Sequence, residues 1–294
     1  MRFLLLAALL LAVRVAAAVQ VVDDRGSVVE IAQPPQRIVS MLPSVTEIVC
    51  ELGACDRLVA VDDYSNWPAQ MAKLPHVGGL EDAQLETIVA LKPDVVLLSS
   101  SSRALARLQS LGLKVVAVEA KSLADVQRVA TKVAQVIGSD QAPRLWQRIN
   151  AGVDAAAREL PPAMRGTRVY FEVNSGPYAA SESSFIGELL TRVGAANVVP
   201  GSLGPFPKLN PEFVVRADPQ VIMVSDRNAQ ALRSRPGWER IQALRDGRVC
   251  MFPPQQGDIL VRPGPRMAEA AHLIVRCLTG KMAVPPSPAG RGPG

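Results

Sequence analysis

Four cysteines, two histidines and 27 carboxylates are the groups in this 294-residue chain that could do covalent, metal or acid–base chemistry. Their spacing favours structure over catalysis. Cys50 and Cys55 stand five apart, and Cys250 and Cys277 twenty-seven apart. The simplest disulfide pairing is Cys50 with Cys55 and Cys250 with Cys277, one of three possible connectivities. Cys50 and Cys55 do not have zinc-knuckle spacing, and only His76 and His272 are available beside them, so no metal site is expected. The chain has no nucleophile elbow, no phosphate loop ending in Gly-Lys-Ser/Thr and no zinc-protease helix. His272 falls within an apolar helical pattern and reads as structural. The chain is not expected to be an enzyme, and no bound cofactor is implied.

The elements around these groups follow from composition and patterning. Hydrophobic residues make up 48% of the chain and charged residues 20%, enough for a large core and too much for a disordered protein. The +5 net charge is scattered rather than blocked, so no nucleic-acid partner is expected. Met1-Arg2, the apolar run Phe3 to Val13, Arg14 and Ala16-Ala17-Ala18 read as a secretory signal peptide cut after Ala18. The run is too short for a span of about 20 residues. No cysteine lies near the cut, so a lipid anchor is not expected. Export makes the cysteines disulfide candidates. Beyond the leader, Val19 to Val22 and Val28 to Ile31 read as a hairpin around Asp24-Arg25-Gly26. Short apolar strands then alternate with helices, the pattern of parallel βα units. Residues 19–138 read as a first α/β lobe, 139–162 as a bridging helix broken by Pro161-Pro162, and 163–281 as a second α/β lobe. Residues 282–294, rich in Pro and Gly, read as a disordered tail. Trp146 reads as packing within the bridge, and Trp238, after Pro236-Gly237, as a staple at a helix start.

One internal echo stands out. Leu85 to Val96 and Asn210 to Ile222 each run from a short helix with an early glutamate, through a proline turn, to a strand. Glu86 and Glu212 occupy equivalent places, which suggests two lobes of one design.

The segments Arg37-Ile38-Val39-Ser40-Met41-Leu42-Pro43-Ser44-Val45-Thr46-Glu47, Leu85 through Val96, and Ser183-Ser184-Phe185-Ile186-Gly187-Glu188-Leu189-Leu190 occur in this order in a recognisable family. From about Gln36 to Lys281 the chain resembles the periplasmic substrate-binding proteins of ABC importers. Its class is the one with a rigid helical linker that takes vitamin B12, haem, siderophores or metals. The resemblance implies two α/β lobes bridged by one long helix, a ligand in the cleft between them, and modest lobe movement. Within the class the chain looks most like the cobalamin-binding proteins.

That resemblance implies a set of ligand contacts. Tyr64 and Trp67 stand in the aromatic loop after the second strand, Tyr178 follows Gly176-Pro177 in the second lobe, and Phe206 precedes the second glutamate helix. Asp258 and Arg262 match an Asp-x-x-x-Arg pair that reaches corrin side groups. Aromatic faces suit a wide apolar ring, and a few polar groups fix its amide edge. The family's second first-lobe tryptophan is missing around Gly78-Gly79, so either Trp67 fills that space or the cleft is wider. The resemblance also implies that Glu86 and Glu212 dock into the permease, with Glu81 and Asp82 adding to the acidic surface. The expected partners are a corrinoid and an ABC permease with its ATPase, the protein acting as a periplasmic monomer. A ferric siderophore or haem is the alternative ligand, and a non-transport sensory or interaction role on the same scaffold is the alternative function.

Overall fold

The computed structural model describes residues 18–225, 232 and 234–281. The leader at 1–17 and the tail at 282–294 lie outside the described residues. Val19–Val22 (β1) pairs antiparallel with Val28–Ile31 (β2) as the expected hairpin. Asp24, in the hairpin turn, is held by Arg128 and by Lys132 at 2.7 Å. Burial of the Asp24 carboxyl works to raise its pKa, but these hydrogen bonds outweigh burial and hold it below the ordinary value.

The first lobe then alternates Ile38–Ser40 (β3), Pro43–Glu51 (α1), Leu58–Val61 (β4), Leu85–Ala90 (α2), Val95–Ser99 (β5), Leu105–Ser110 (α3), Val115–Val118 (β6) and Leu123–Ile137 (α4). The four strands form a parallel sheet in the order β4-β3-β5-β6. Every residue of β5 and β6 is buried, as a parallel sheet covered on both faces requires. α1 starts at Pro43, because proline suits the first helical turn. α4 is delimited by cap residues at both ends. Ser122 and Asp125 close a capping box at its start, and Gly138 takes φ 72° at its end.

Ala142–Glu159 (α5) carries the chain from the first lobe to the second, a shorter helix than the expected 139–162. Gln141 holds the N-cap position of α5, and Pro161 and Pro162 fall beyond its end. The second lobe follows with Arg168–Asn174 (β7), Tyr178–Ala179 (β8), Phe185–Val193 (α6), Ala196–Asn197 (β9), Pro211–Ala217 (α7), Val221–Ser225 (β10), Gln242–Arg245 (α8), Val249–Phe252 (β11), Pro254–Val261 (α9) and Met267–Leu278 (α10). Its sheet runs β11-β10-β7-β8, with β9 paired to β7. One apolar cluster is continuous from Val45 and Ile48 of α1, through Leu145, Ile149 and Val153 of α5, to Phe171 of β7 and Met267 of α10. Each such buried aliphatic side chain contributes about 1.5–3 kcal/mol. α5 is therefore welded to both lobes rather than strung between them. Gly152 permits close approach of α10, since a Cβ there would lie 2.5 Å from the Cβ of Ala268. Trp146 packs against this cluster, as expected of it.

One reading changes, and one is made specific. Trp238 is not a staple. It is fully buried in the second lobe, edge-on to Tyr170, and begins a short 3-10 turn. His272 lies on the partly open face of α10 with its Nδ1 3.4 Å from Glu159, so its role is a surface contact to α5.

Candidate ligand-binding cleft

A parallel sheet presents its binding crevice at the carboxyl ends of its strands. Here the loops after β3, β4 and β6, with the end of β5, wall a cavity of about 400 Å³. The first lobe supplies Leu42, Pro43, Ser44, Tyr64, Ser99 and Val118 to Ala120, and α9 of the second lobe closes the other side with Asp258, Val261 and Arg262. Glu119 on this wall accepts a hydrogen bond from Ser100 at 2.7 Å and pairs with Lys121 at 3.1 Å.

The loop from Asp62 to Pro68 is built from beneath. Asp62 is buried and accepts from the Ser65 hydroxyl and the Tyr64 amide, both at 2.7 Å. Burial pushes its carboxyl pKa up, against the pull of those hydrogen bonds. The Thr46 hydroxyl extends the chain, donating to Ser40 at 2.8 Å and meeting Ser65 at 2.9 Å. This buried polar chain ties the loop to α1, so Tyr64 and Trp67 are presented 68% and 46% exposed. The Tyr64 ring, not Trp67, occupies the space beside Gly79, where an added Cβ would lie 3.3 Å from the ring. Gly78 must be glycine: its φ is 81°, and a Cβ would sit 2.4 Å from the Asp82 carbonyl oxygen.

Arg262 does not point free donors into the cavity. Its Nη1 donates to Glu47 at 3.0 Å and to Asn66 at 2.9 Å, and its Nη2 donates to the Tyr64 carbonyl at 2.9 Å and to Asp258 at 2.7 Å. Arg266 grips the same Glu47 at 2.9 Å and 2.6 Å, and its guanidinium lies 5.2 Å from the Trp67 ring centroid. Asn66 also donates to Asp258 at 2.9 Å. Glu47, Asn66 and Arg266 were not singled out from sequence. The available signal was Glu47 itself, a carboxylate amid the apolar face of α1 between Val45, Ile48 and Val49.

The structure thus brings Tyr64, Asp258 and Arg262 together at the cavity, with Trp67 joined to them through Arg266. Tyr178 and Phe206 form a separate patch on the second lobe and do not line this cavity. Their segments pair through Ala179 N–H to the Pro207 carbonyl at 3.1 Å and Ser181 N–H to the Pro205 carbonyl at 3.0 Å. Tyr178 is 41% exposed, whereas Phe206 is half-buried edge-on to Phe185, with 5.8 Å between centroids.

Glu86 and Glu212 are exposed in the first turns of α2 and α7. The echo between these segments extends to the backbone. Lys92 and Asp218, each immediately before a proline, take φ 47° and 40°. Both disulfides form with the simplest pairing, Cys50–Cys55 and Cys250–Cys277. Among the described residues no group of three or more His, Cys, Asp or Glu could hold a metal ion.

The family model for a periplasmic binding protein matches residues 38–256. The chain is 28% identical over 270 residues to an uncharacterized ABC transporter substrate-binding lipoprotein, YvrC, of Bacillus subtilis (strain 168), covering 87% of this chain and 84% of that one. It is 30% identical over 216 residues to a vitamin B12-binding protein of Yersinia pestis (strain Pestoides F), covering 70% and 75%. Among solved structures, a periplasmic heme binding protein from Pseudomonas aeruginosa superposes with a TM-score of 0.70 at 25% identity, covering 85% of this chain and 94% of that one. With two α/β lobes joined by α5 and a cleft between them, the chain belongs to the periplasmic binding protein family, a non-catalytic family, as a periplasmic substrate-binding component of an ABC importer in the metal, siderophore, haem and vitamin B12 class.

Proposed function

We propose that the ligand is cobalamin or a related corrinoid, held in the interlobe cleft and passed to the permease. The observation that carries this reading is the charge of the cleft. The carboxylates on its wall are Glu119 and Asp258, and the guanidinium on its wall, Arg262, already has both terminal nitrogens occupied by the protein. An anionic siderophore or the propionates of haem would find no uncommitted cation among the lining residues beside those acids, which are paired with Lys121 and Arg262. A ring fringed by neutral amides brings N–H donors to the acids, and its apolar faces suit Tyr64 and Trp67. The likeness to a vitamin B12-binding protein supports the same choice. Asp258 acts on the ligand edge, with Arg262 behind it as its support. Tyr178 and Phe206 contribute a second-lobe face, Tyr178 by its exposed ring and Phe206 chiefly by packing.

Haem is the second reading, favoured by the exposed phenols of Tyr64 and Tyr178, which are of a type that ligates haem iron. Calorimetric titration of the protein from Val19 onward with cyanocobalamin, dicyanocobinamide and haemin separates the two. One-to-one binding of cyanocobalamin without haemin binding is the expected result, and the reverse preference would overturn it.

Glu86 and Glu212 are the docking carboxylates in this reading, two separated anionic knobs that fix orientation on a basic permease surface. Replacing both with alanine should leave cyanocobalamin affinity unchanged and reduce uptake by at least about tenfold, the equivalent of 1.4 kcal/mol of lost docking. Unchanged uptake would remove them from that role.

A further inference from the structure

The group of polar residues between α1 and α9 is more elaborate than ligand contact requires. Glu47 is 2% exposed, far below what an unpaired glutamate tolerates. It sits on the first lobe, and both of its partners, Arg262 and Arg266, sit on the second, 215 and 219 residues away. Side-chain exposures of 8% and 12% put those guanidinium groups out of bulk water too. Through Arg262 the assembly reaches the Tyr64 carbonyl, Asn66 and Asp258, and through Arg266 it reaches the ring of Trp67. Gly264, between the two arginines, packs against Ser44 at the start of α1.

We propose that Glu47 is a positioning residue for ligand capture: by clamping Arg262 and Arg266 it preassembles the Tyr64–Trp67 wall against α9 before ligand arrives. The inference rests on the interlobe cleft being the binding site, and it does not depend on which ligand fills it. Glu47 touches no ligand in this scheme, since its carboxylate oxygens accept from the two arginines and it does not line the cavity. Its contribution is to remove lobe and loop freedom that binding would otherwise have to freeze. A buried charge pair placed across two lobes is better explained by geometry than by stability, because such a pair returns little net stabilisation over an apolar substitute.

The test uses Glu47→Gln and Asn66→Ala in the otherwise intact protein. Asn66 is exposed, so its loss strands no buried charge and the variant should fold. It gives up one bond to Arg262 and one to Asp258. Hydrogen exchange of residues 62–67 and 258–266 should quicken about tenfold or more in Glu47→Gln, and less in Asn66→Ala, while the strands of both sheets keep their protection. Cyanocobalamin affinity should fall about tenfold or more in Glu47→Gln, and Glu47→Asp should restore part of it. Quickened exchange throughout a lobe would mean a merely structural role. Unchanged exchange at 62–67 and 258–266 in both variants, or unchanged affinity with quickened exchange, would overturn the proposal. If the wild-type protein binds haemin rather than cyanocobalamin, the corrinoid reading fails. The affinity comparison is then made with haemin, and the exchange comparison stands as it is.

Discussion

The molecule uses the same three residue types twice, to opposite ends. In the second lobe Glu172 is fully buried, accepts two bonds from Arg235 at 2.6 Å and 2.9 Å, and Arg235 lies 4.5 Å from the ring centroid of Trp238. At the cleft Glu47 takes two bonds from Arg266, which lies 5.2 Å from the ring of Trp67. The Glu172–Arg235 pair of the first trio closes over 63 residues within one lobe, and this trio buries its tryptophan completely. The second spans the lobes and leaves its tryptophan 46% exposed. The chemistry is shared, and what differs is whether the aromatic face is consumed by the fold or left for another molecule. In the proposed function, a buried Glu–Arg–Trp group serves binding only where its ring remains open.

Breaking the second-lobe trio should have the largest effect, and on stability alone. Arg235→Leu leaves Glu172 buried without its cation, and urea unfolding should show a loss of about 3–5 kcal/mol. Cyanocobalamin affinity of the folded fraction should stay within about threefold of wild type, because less than 0.7 kcal/mol of binding is at stake. A loss of affinity without loss of stability would erase the distinction between the trios. Trp67→Ala should do the opposite: about tenfold weaker cyanocobalamin binding by calorimetry, with unfolding free energy within about 0.5 kcal/mol of wild type. Unchanged binding would take Trp67 out of the cleft.

A third measurement lies outside both trios and sharpens them as a control. The Asp125 carboxyl is held at about 2 against an ordinary 3.8. Burial acts to raise it, but the Arg128 hydrogen bond and the Lys121 and Ser122 amides outweigh burial. Its folded value lies below its unfolded one, so its contribution is complete above about pH 4 and is lost as pH falls towards 2. After solvent screening that contribution is about 1 kcal/mol. The stability gap between wild type and Asp125→Ala should narrow by that amount between pH 5 and pH 2. A gap that does not change with pH would assign the effect to the capping hydrogen bonds alone.

Local signals made most of the fold legible. Glycines at 138 and 194 end α4 and α6 where the apolar period stops, and strands such as Leu58–Val61 and Val115–Val118 are short apolar runs between turn residues. α9 was not anticipated from sequence, although Pro254 suits the first residue of a helix. At the cleft, Tyr64, Asp258 and Arg262 were legible through family resemblance. That Arg262 faces Glu47 was not, because nothing local in either segment encodes a partner more than 200 residues distant. Phe206 shows the same gap: an aromatic at a rim and an aromatic packed on Phe185 look alike in sequence.

The long reach of the Glu47 contact also imposes an order on assembly. The sheet of the first lobe is complete in the chain by Val118 and its last helix by Ile137, whereas Arg262 and Arg266 come more than a hundred residues later. As the exported chain emerges N-terminus first, that lobe is complete before its cations arrive. Through that interval Glu47 is a socket without a plug, an ionisable group inside an otherwise apolar surface. The two arginines close the socket near the end of the chain, which makes the joining of the lobes a late event in assembly and their own arrival its signal.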